Sequence, residues 1–187
     1  MNIFYLDPDP SACARYHCDK HVIKMILESA QLLSTAIHCI RPGAPGLYRP
    51  THKAHPCAVW ARQGNENYAW LLNLTIWLGR EYTHRFGRTH KTIRDILPQL
   101  EQGPGLFDPD QAFTEPPQCM PEQYRQADTV QAYRDYYSHE KRRFAKYTNR
   151  EYPAWLNGNG HEVPDRQREQ PAVSPSLSGS WQQDIRD

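Results

Sequence analysis

Hydrophobic and polar positions repeat with a helical period through most of the chain. Between Asp19 and about Cys39 apolar side chains cover a wide arc, which predicts a long helix lying largely inside the fold. Polar residues that follow His21 at intervals of 3, 7, 10 and 14 positions fall within about a quarter of the helix circumference. This polar line consists of His17 or His21, Lys24, Glu28, Gln31 and Thr35.

The remaining pattern predicts further helices and an extended start over Met1–Leu6. Asp9 followed by Pro10 is typical of a helix beginning, and His55 followed by Pro56 indicates another, with two helices meeting near Gly64. The predicted helices cover residues 11–17, 19–39, 56–63, 65–86, 89–100 and 129–148. The fold class is therefore mainly α, a single-domain helical bundle.

Two segments lack this pattern. Residues 103–121 are rich in Pro and Gly and are expected to form a long ordered loop or lid outside the core. Residues 157–187 contain mostly Gly, Pro, Ser, Gln and charges, and they are expected to be a disordered tail. The predicted organisation is one helical domain over residues 1–156, followed by the tail.

Composition narrows the class of protein. The 187 residues are 39% apolar, enough for a core. The chain has no apolar stretch of membrane-spanning length and no secretion-signal pattern at its start, and its five cysteines are odd in number and irregularly spaced. These features predict a soluble monomer with reduced thiols in the cytoplasm. The tail holds five acidic and three basic residues, so residues 1–156 carry about +3.

The last predicted helix combines bases with aromatic rings. Residues 133–150 contain six Lys or Arg against two Asp or Glu, interleaved with Tyr133, Tyr136, Tyr137, Phe144 and Tyr147. Basic side chains bind phosphates, and aromatic faces stack on exposed bases. The alternative is an amphipathic surface helix whose rings pack inward. The composition alone leaves both interpretations open.

Thr-His-Lys occurs twice after an arginine, as Arg49-Pro-Thr51-His52-Lys53 and as Arg88-Thr89-His90-Lys91. Each copy lies in a loop or at a helix start, where amide groups, a hydroxyl and two cations could hold a phosphate. Chance recurrence of three residues is the other explanation.

Histidine and cysteine cluster twice, in His17-Cys18-x-x-His21 and in His52-x-x-His55-x-Cys57. Neither spacing fits a closed zinc site, and adjacent His17 and Cys18 point to different helix faces. We therefore expect no metal and no cofactor. The chain also has no glycine-rich phosphate loop, GxSxG or HExxH motif.

The polar line has two interpretations. Burying an imidazole, a cation and a carboxylate is costly unless they pair or face a wet pocket, where pKa values shift for chemistry. The line is thus either an active site or a structural network.

Asp19-x-His21 followed by Glu28, with the aromatic basic segment of residues 133–147, resembles the phage pyrimidine-dimer DNA glycosylases of the endonuclease V type. The resemblance implies an all-α enzyme that cuts damaged DNA, with Glu28 as the catalytic carboxylate. In that family the nucleophile is the α-amine of a Thr exposed by removal of Met. Because Asn2 is bulky, Met1 is expected to remain, so its amine or Lys24 would have to replace that nucleophile.

Asp19–Leu33 and residues 55–60 also resemble the helical domain of phage 5-hydroxymethyluracil DNA kinases and their relatives in thymine hypermodification. This resemblance implies action on DNA bases. The P-loop of those kinases is missing here.

The leading hypothesis is base excision in DNA repair or modification: an enzyme that binds duplex DNA and acts on a damaged or modified pyrimidine drawn out of the stack. Glu28 is the essential carboxylate, Lys24 keeps it ionised, Met1 or a buried Lys24 attacks C1′, and His21 contacts phosphate or shuttles a proton. A wedge beside the lesion would come from residues 116–121. The expected DNA-binding residues are Arg15, Lys20, Arg49, His52, Lys53, His55, Arg88, His90, Lys91, Tyr133, Arg134, Tyr137, Lys141, Arg142 and Lys146.

Two other functions remain. One is a transferase of the thymine hypermodification type, which displaces pyrophosphate from an activated 5-hydroxymethyl group and leaves the strand whole. The other is a non-catalytic module that binds DNA or a partner, in which the polar line is structural.

Overall fold

A computed structural model of the protein describes residues 1–157, and the regular secondary structure in that range is entirely helical, as the pattern predicts. Two single 3-10 turns, Glu122–Tyr124 and Arg142–Phe144, accompany the α-helices. The eight α-helices of the described range are α1 Pro10–Tyr16, α2 Asp19–Ile40, α3 Pro56–Trp60, α4 Asn65–Phe86, α5 Lys91–Asp95, α6 Leu97–Leu100, α7 Thr129–Glu140 and α8 Ala154–Asn157.

Most helix boundaries have the local causes that the sequence indicates. The Asp9 carboxylate accepts hydrogen bonds from the amides of Ser11 and Ala12 and so begins α1. Gly64 separates α3 from α4, and Gly87, with a φ of 67°, ends α4 in the left-handed region that glycine tolerates. These boundaries are confirmed.

Two predicted helices are wrong in extent. The helix over residues 89–100 is divided at Ile96 into α5 and α6, because the ring of Pro98 prevents α5 from continuing. The last helix ends at Glu140 and not at Thr148. The chain beyond it is instead held by Asp19, whose carboxylate accepts hydrogen bonds from the amide and hydroxyl of Thr148.

One hydrophobic core includes residues from Ile3 to Leu156. The longest helices, α2 and α4, pack against each other, α1 packs on α4, and α3, α5 and α6 pack on α2. Most of α2 is buried, as predicted. Ile23 and Leu27, which the pattern assigned to the buried arc, are instead 44% and 37% exposed.

Residues 103–121 form the predicted long loop. The expectation that this loop lies outside the core is wrong, because Phe107 and Met120 are buried in it. The first turn of α4 fixes the loop: Asn65 accepts from the amide of Phe107, and Asn67 accepts from the amide of Thr114. Residues 158–187, most of the predicted disordered tail, lie outside the described residues.

Candidate active site

The amino-terminal end of α2 is a closed network of buried polar groups. Asp19 pairs with Arg85 at 3.0 Å, and Arg85 pairs with Glu81 at 2.7 Å. Burial would raise the pKa of Glu81, but hydrogen bonds from Arg150 and Arg85 outweigh burial and lower it. Every charge of this network has a partner inside the fold, so the network holds α2, α4 and the 145–150 segment together.

His21 belongs to this closed end. Its Nδ1 lies 2.8 Å from the hydroxyl of Tyr137, and its ring stacks on Phe4 with centroids 4.5 Å apart. Burial, aided by the charges of His17, Lys141 and Lys24, lowers the pKa of His21 to about 3. The predicted phosphate contact is therefore wrong for this structure, because the ring is buried.

Three residues predicted to bind DNA point inward instead. The side chains of Tyr133 and Tyr137 are fully buried and cannot stack on a base. The Tyr133 hydroxyl donates to Asn2 or to the carbonyl of Pro117, and Arg134 donates to the carbonyl of Leu6 and pairs with Asp7. The inward-packing alternative thus describes these residues of α7 correctly.

The middle of α2 is more open. Glu28 pairs with Lys24 at 3.1 Å, and their side chains are 15% and 63% exposed respectively. The pairing is as predicted, but Lys24 lacks the burial that was expected to activate it as a nucleophile. Further along the polar line, Thr35 is buried and accepts from the amide of Thr51, which makes it a structural residue.

The chain start is anchored beside this open region. The Asn2 side chain accepts from the amide of Ile3 and from the hydroxyl of Tyr133, and its amide group donates to the carbonyl of Cys119 at 2.9 Å. Met1 is half-buried. Asn2 therefore holds the α-amine of Met1 in a fixed neighbourhood that includes the 103–121 loop.

His55 lies where charges of both the chain start and Glu28 influence its pKa. Its Nδ1 accepts from the amide of Cys57 at 3.2 Å and so begins α3. Burial lowers the pKa of His55, the charges of the Met1 amine and His52 lower it further, and the charge of Glu28 opposes them. The charges of the amine and of the carboxylate thus both change the pKa of one imidazole, although the two residues lie 27 positions apart in sequence.

Two thiols complete the cluster. The Sγ atoms of Cys57 and Cys119 lie 3.6 Å apart, and a donor atom of His55 lies within 4.8 Å of both. The hydrogen bond from the Cys57 thiol lowers the pKa of Cys119 to about 7, while that bond and burial raise the pKa of Cys57. We call Met1, Glu28, His55, Cys57 and Cys119 the amine–thiol cluster.

The two Thr-His-Lys copies differ in structure. His52 has a φ of 49°, a strained region for a residue with a side chain, and its Nδ1 lies 2.6 Å from the Thr51 hydroxyl. His90 instead begins α5 by accepting from the amide of Thr92. Both α3 and α5 begin with an imidazole on the first-turn amide, so a phosphate there would compete with the protein's own side chain.

The other predicted DNA-binding residues lie on or near the surface. Lys20 and Lys141 lie over the rings of Phe144 and Tyr136 at 5.0 and 4.6 Å. The exposed group is Arg15, Lys20, Arg49, His52, Lys53, Arg88, Lys91 and Lys146, and the half-buried group is His55, His90, Lys141 and Arg142. These positions remain predictions for DNA contact.

Sequence reasoning missed Asn2 and Cys119. Cys119 lies 62 positions from Cys57, so no spacing rule associates the two, and Asn2 was considered only for its bulk. The one available signal was the oddly placed cysteine within the Pro-rich loop.

Comparisons of the chain with protein-family models, with curated proteins and with solved structures found no match. Among the described residues, no helix is long and apolar enough to cross a membrane.

Proposed function

We propose that the chain is a DNA glycosylase with lyase activity, in which the α-amine of Met1 attacks a deoxyribose and Glu28 is the essential carboxylate. One observation carries the proposal: Asn2 hydrogen-bonds to the carbonyl of Cys119, whose Sγ lies within 4.8 Å of a His55 nitrogen, so the chain start is held at this site. The charges of the Met1 amine and of Glu28 both bear on the pKa of His55. Imine-forming base excision requires a nucleophilic amine and a carboxylate in one accessible site.

The reaction begins on a pyrimidine nucleotide drawn out of the duplex. The unprotonated amine attacks C1′, and the C1′–N bond breaks with its electron pair leaving on the base, which takes up a proton. The sugar ring opens to an imine between C1′ and the α-amine. Loss of a proton from C2′ then expels the 3′ phosphate, and water hydrolyses the imine to free the enzyme.

The residues of the site divide this work. Glu28, which pairs with Lys24 at 3.1 Å, stabilises the positive charge that develops on the sugar and the imine. The Met1 amine suits the role better than Lys24, because α-amines as a class lose their proton more readily than lysine ε-amines. Asn2 positions the amine through its bonds to Cys119 and Tyr133.

The rim of the site favours a polyanion. The charge of His52 lowers the pKa of His55, and the charge of Arg125 lowers the pKa of Cys119. Lys24 is exposed beside Glu28. Phosphate contacts from such side chains hold a duplex in register without reading its sequence.

The test is borohydride trapping with duplex DNA containing a thymine dimer, 5-hydroxymethyluracil or uracil. Borohydride reduces the imine to a stable amine, so a covalent adduct and strand breaks are expected, and peptide mapping should place the adduct on Met1. The intact mass of the native protein checks that Met1 is its first residue. Glu28→Gln should lose both adduct and breaks, whereas Lys24→Gln should keep them.

The controls separate chemistry from folding. Glu28→Gln should retain the melting temperature and DNA affinity of the unaltered protein, because the amide is isosteric with the carboxylate. A two-residue extension before Met1 should also abolish the adduct. DNA binding without adduct or breaks, or an adduct on Lys24, contradicts the proposal. DNA binding without adduct or breaks would direct attention to base modification or to pure DNA binding.

A further inference from the structure

Two thiols and an imidazole from separate segments meet in the amine–thiol cluster. Cys57 and His55 lie at the start of α3, and Cys119 lies in the 103–121 loop. Their donor atoms all lie within 4.8 Å of one another. Within residues 1–157, this is the one group of three or more His, Cys, Asp or Glu donors that lie close enough to share a metal ion.

The donor chemistry and spacing indicate which ion fits. Two thiolates on a tetrahedral zinc ion, each with a Zn–S bond of about 2.3 Å, lie about 3.8 Å apart. The Cys57 and Cys119 sulfurs are 3.6 Å apart, close to that separation and far from the roughly 2.05 Å of a disulfide. Two soft thiolates and an imidazole select zinc over the oxygen-seeking cations magnesium and calcium.

We propose that His55, Cys57 and Cys119 bind one Zn²⁺ ion, with water as the fourth ligand. Cys57 is buried while His55 and Cys119 are half-buried, so the fourth position is directed toward the surface. The site is independent of the proposed glycosylase reaction, since it rests on the donor geometry alone.

Metal binding has a defined local cost. Either nitrogen of His55 can serve as the ligand only if Nδ1 stops accepting from the amide of Cys57. That hydrogen bond is already long, at 3.2 Å, and a single neutral hydrogen bond is weak beside two zinc–thiolate bonds, so the metal outweighs the lost bond.

The ion would fix the chain start as well as the loop. It would join Cys119 to α3, and the carbonyl of Cys119 accepts the hydrogen bond from Asn2. The role of the metal is therefore positional: it sets the place of the segment that carries Met1.

The experiment adds Co²⁺ and then Zn²⁺ to the full-length protein, purified under reducing conditions and stripped of metal. Cobalt should give the thiolate charge-transfer band and the intense visible bands of a tetrahedral site, with one ion per chain, and zinc should displace it. Saturating zinc should also raise the melting temperature.

Three variants test the ligands. Cys119→Ser removes a half-buried thiol, and His55→Asn removes the imidazole while keeping a residue that can begin α3. Because changes around a metal site that leave the ligands in place already cost 10–100-fold, loss of either ligand should weaken zinc binding by more than about 100-fold. Cys39→Ser removes an exposed thiol of α2 and should bind zinc like the unaltered protein.

Three results would overturn the site. They are absence of one-to-one binding in the folded, reduced protein, full affinity in Cys119→Ser, and cobalt spectra without thiolate bands. A Cys57–Cys119 disulfide that forms in the fresh protein, with no zinc binding after reduction, would identify the pair as redox-active instead. Borohydride trapping is not used, so failure here leaves the proposed function intact.

Discussion

Helix α2 carries two groups of polar side chains that look alike in sequence and differ in their surroundings. At its amino-terminal end, Asp19 and His21 are buried, and their partners all belong to the protein. Seven residues after His21, Glu28 is partly exposed and pairs with the exposed Lys24. A single polar line on a helix can thus be a structural network at its start and partly exposed in its middle.

The difference follows from what packs against each part. The amino-terminal end of α2 is covered by Tyr137 of α7, by Arg85 of α4 and by the segment around Thr148. Helix α2 also packs against the short helix α3, and this packing leaves Glu28 partly exposed. Burial contributes to stability at one end, and the packing leaves Glu28 accessible to solvent in the middle of the helix.

The largest effect is expected at the closed end, from Arg85→Met. This change leaves Asp19 and Glu81 buried without their shared cation, and breaking a buried ion pair costs about 3–5 kcal/mol. Urea denaturation at pH 7 should show that loss in the free energy of unfolding. A loss below about 1 kcal/mol would mean that the network is not needed for stability.

The closed end should also make the protein sensitive to acid. Burial lowers the pKa of His17 to about 4 and that of His21 to about 3, from an ordinary 6.5. Below pH 6.5 the unfolded chain binds protons that the folded protein does not. Stability should therefore fall as the pH decreases from 6.5 toward 4, by roughly 1 kcal/mol per pH unit for each histidine.

Urea titrations between pH 7 and 5 measure this slope above the range where carboxylates titrate. His21→Gln should reduce the slope by the share of one histidine, and His84→Gln, at an exposed position, should leave it unchanged. An unaltered slope in His21→Gln would show that the ring is protonated in the folded protein. His55 and His90, whose pKa values are also lowered, add smaller contributions.

These two regions also show what the sequence can and cannot predict. Periodicity predicts α2 and α4 nearly to the residue, because an apolar arc is a local signal and because Gly64 and Gly87 bound α4. The predicted end of the last helix is wrong, since the Asp19 carboxylate that accepts a hydrogen bond from Thr148 is distant in sequence. The same limit hides Cys119, which reaches His55 and Cys57 only through the fold of the 103–121 loop.

Side-chain direction was the other limit. Tyr133 and Tyr137 lie in a segment whose composition fits stacking on bases equally well, yet they are buried. A basic, aromatic helix has the same composition whether its rings face the core or the solvent. Glu28 and Met1 were predicted as site residues, and their shared neighbour His55 was predicted only as a DNA contact.

A smaller effect is expected from Tyr137→Phe. Loss of the hydroxyl leaves the amide of Cys18 and the Nδ1 of His21 without their partner, which costs about 1–3 kcal/mol for buried groups. Tyr124→Phe is the matched control, because that hydroxyl donates to Glu140 at the surface and its loss should cost below about 0.5 kcal/mol. Equal losses of unfolding free energy in the two variants would mean that buried and surface hydroxyl groups contribute alike to stability.

The smallest effect is expected at the open part of α2, from Lys24→Gln. The pair with Glu28 spans one helical turn with an exposed lysine, and such pairs contribute about 0.3–0.5 kcal/mol. Denaturation at low and high salt should show a small loss that disappears at high salt, because salt screens exposed charges. A loss of several kcal/mol that persists in high salt would place Glu28 in a structural network like that of Asp19. A small, salt-sensitive loss of unfolding free energy would mean that the fold does not depend on the Lys24–Glu28 pair. Glu28 would then be available for the catalytic role proposed above.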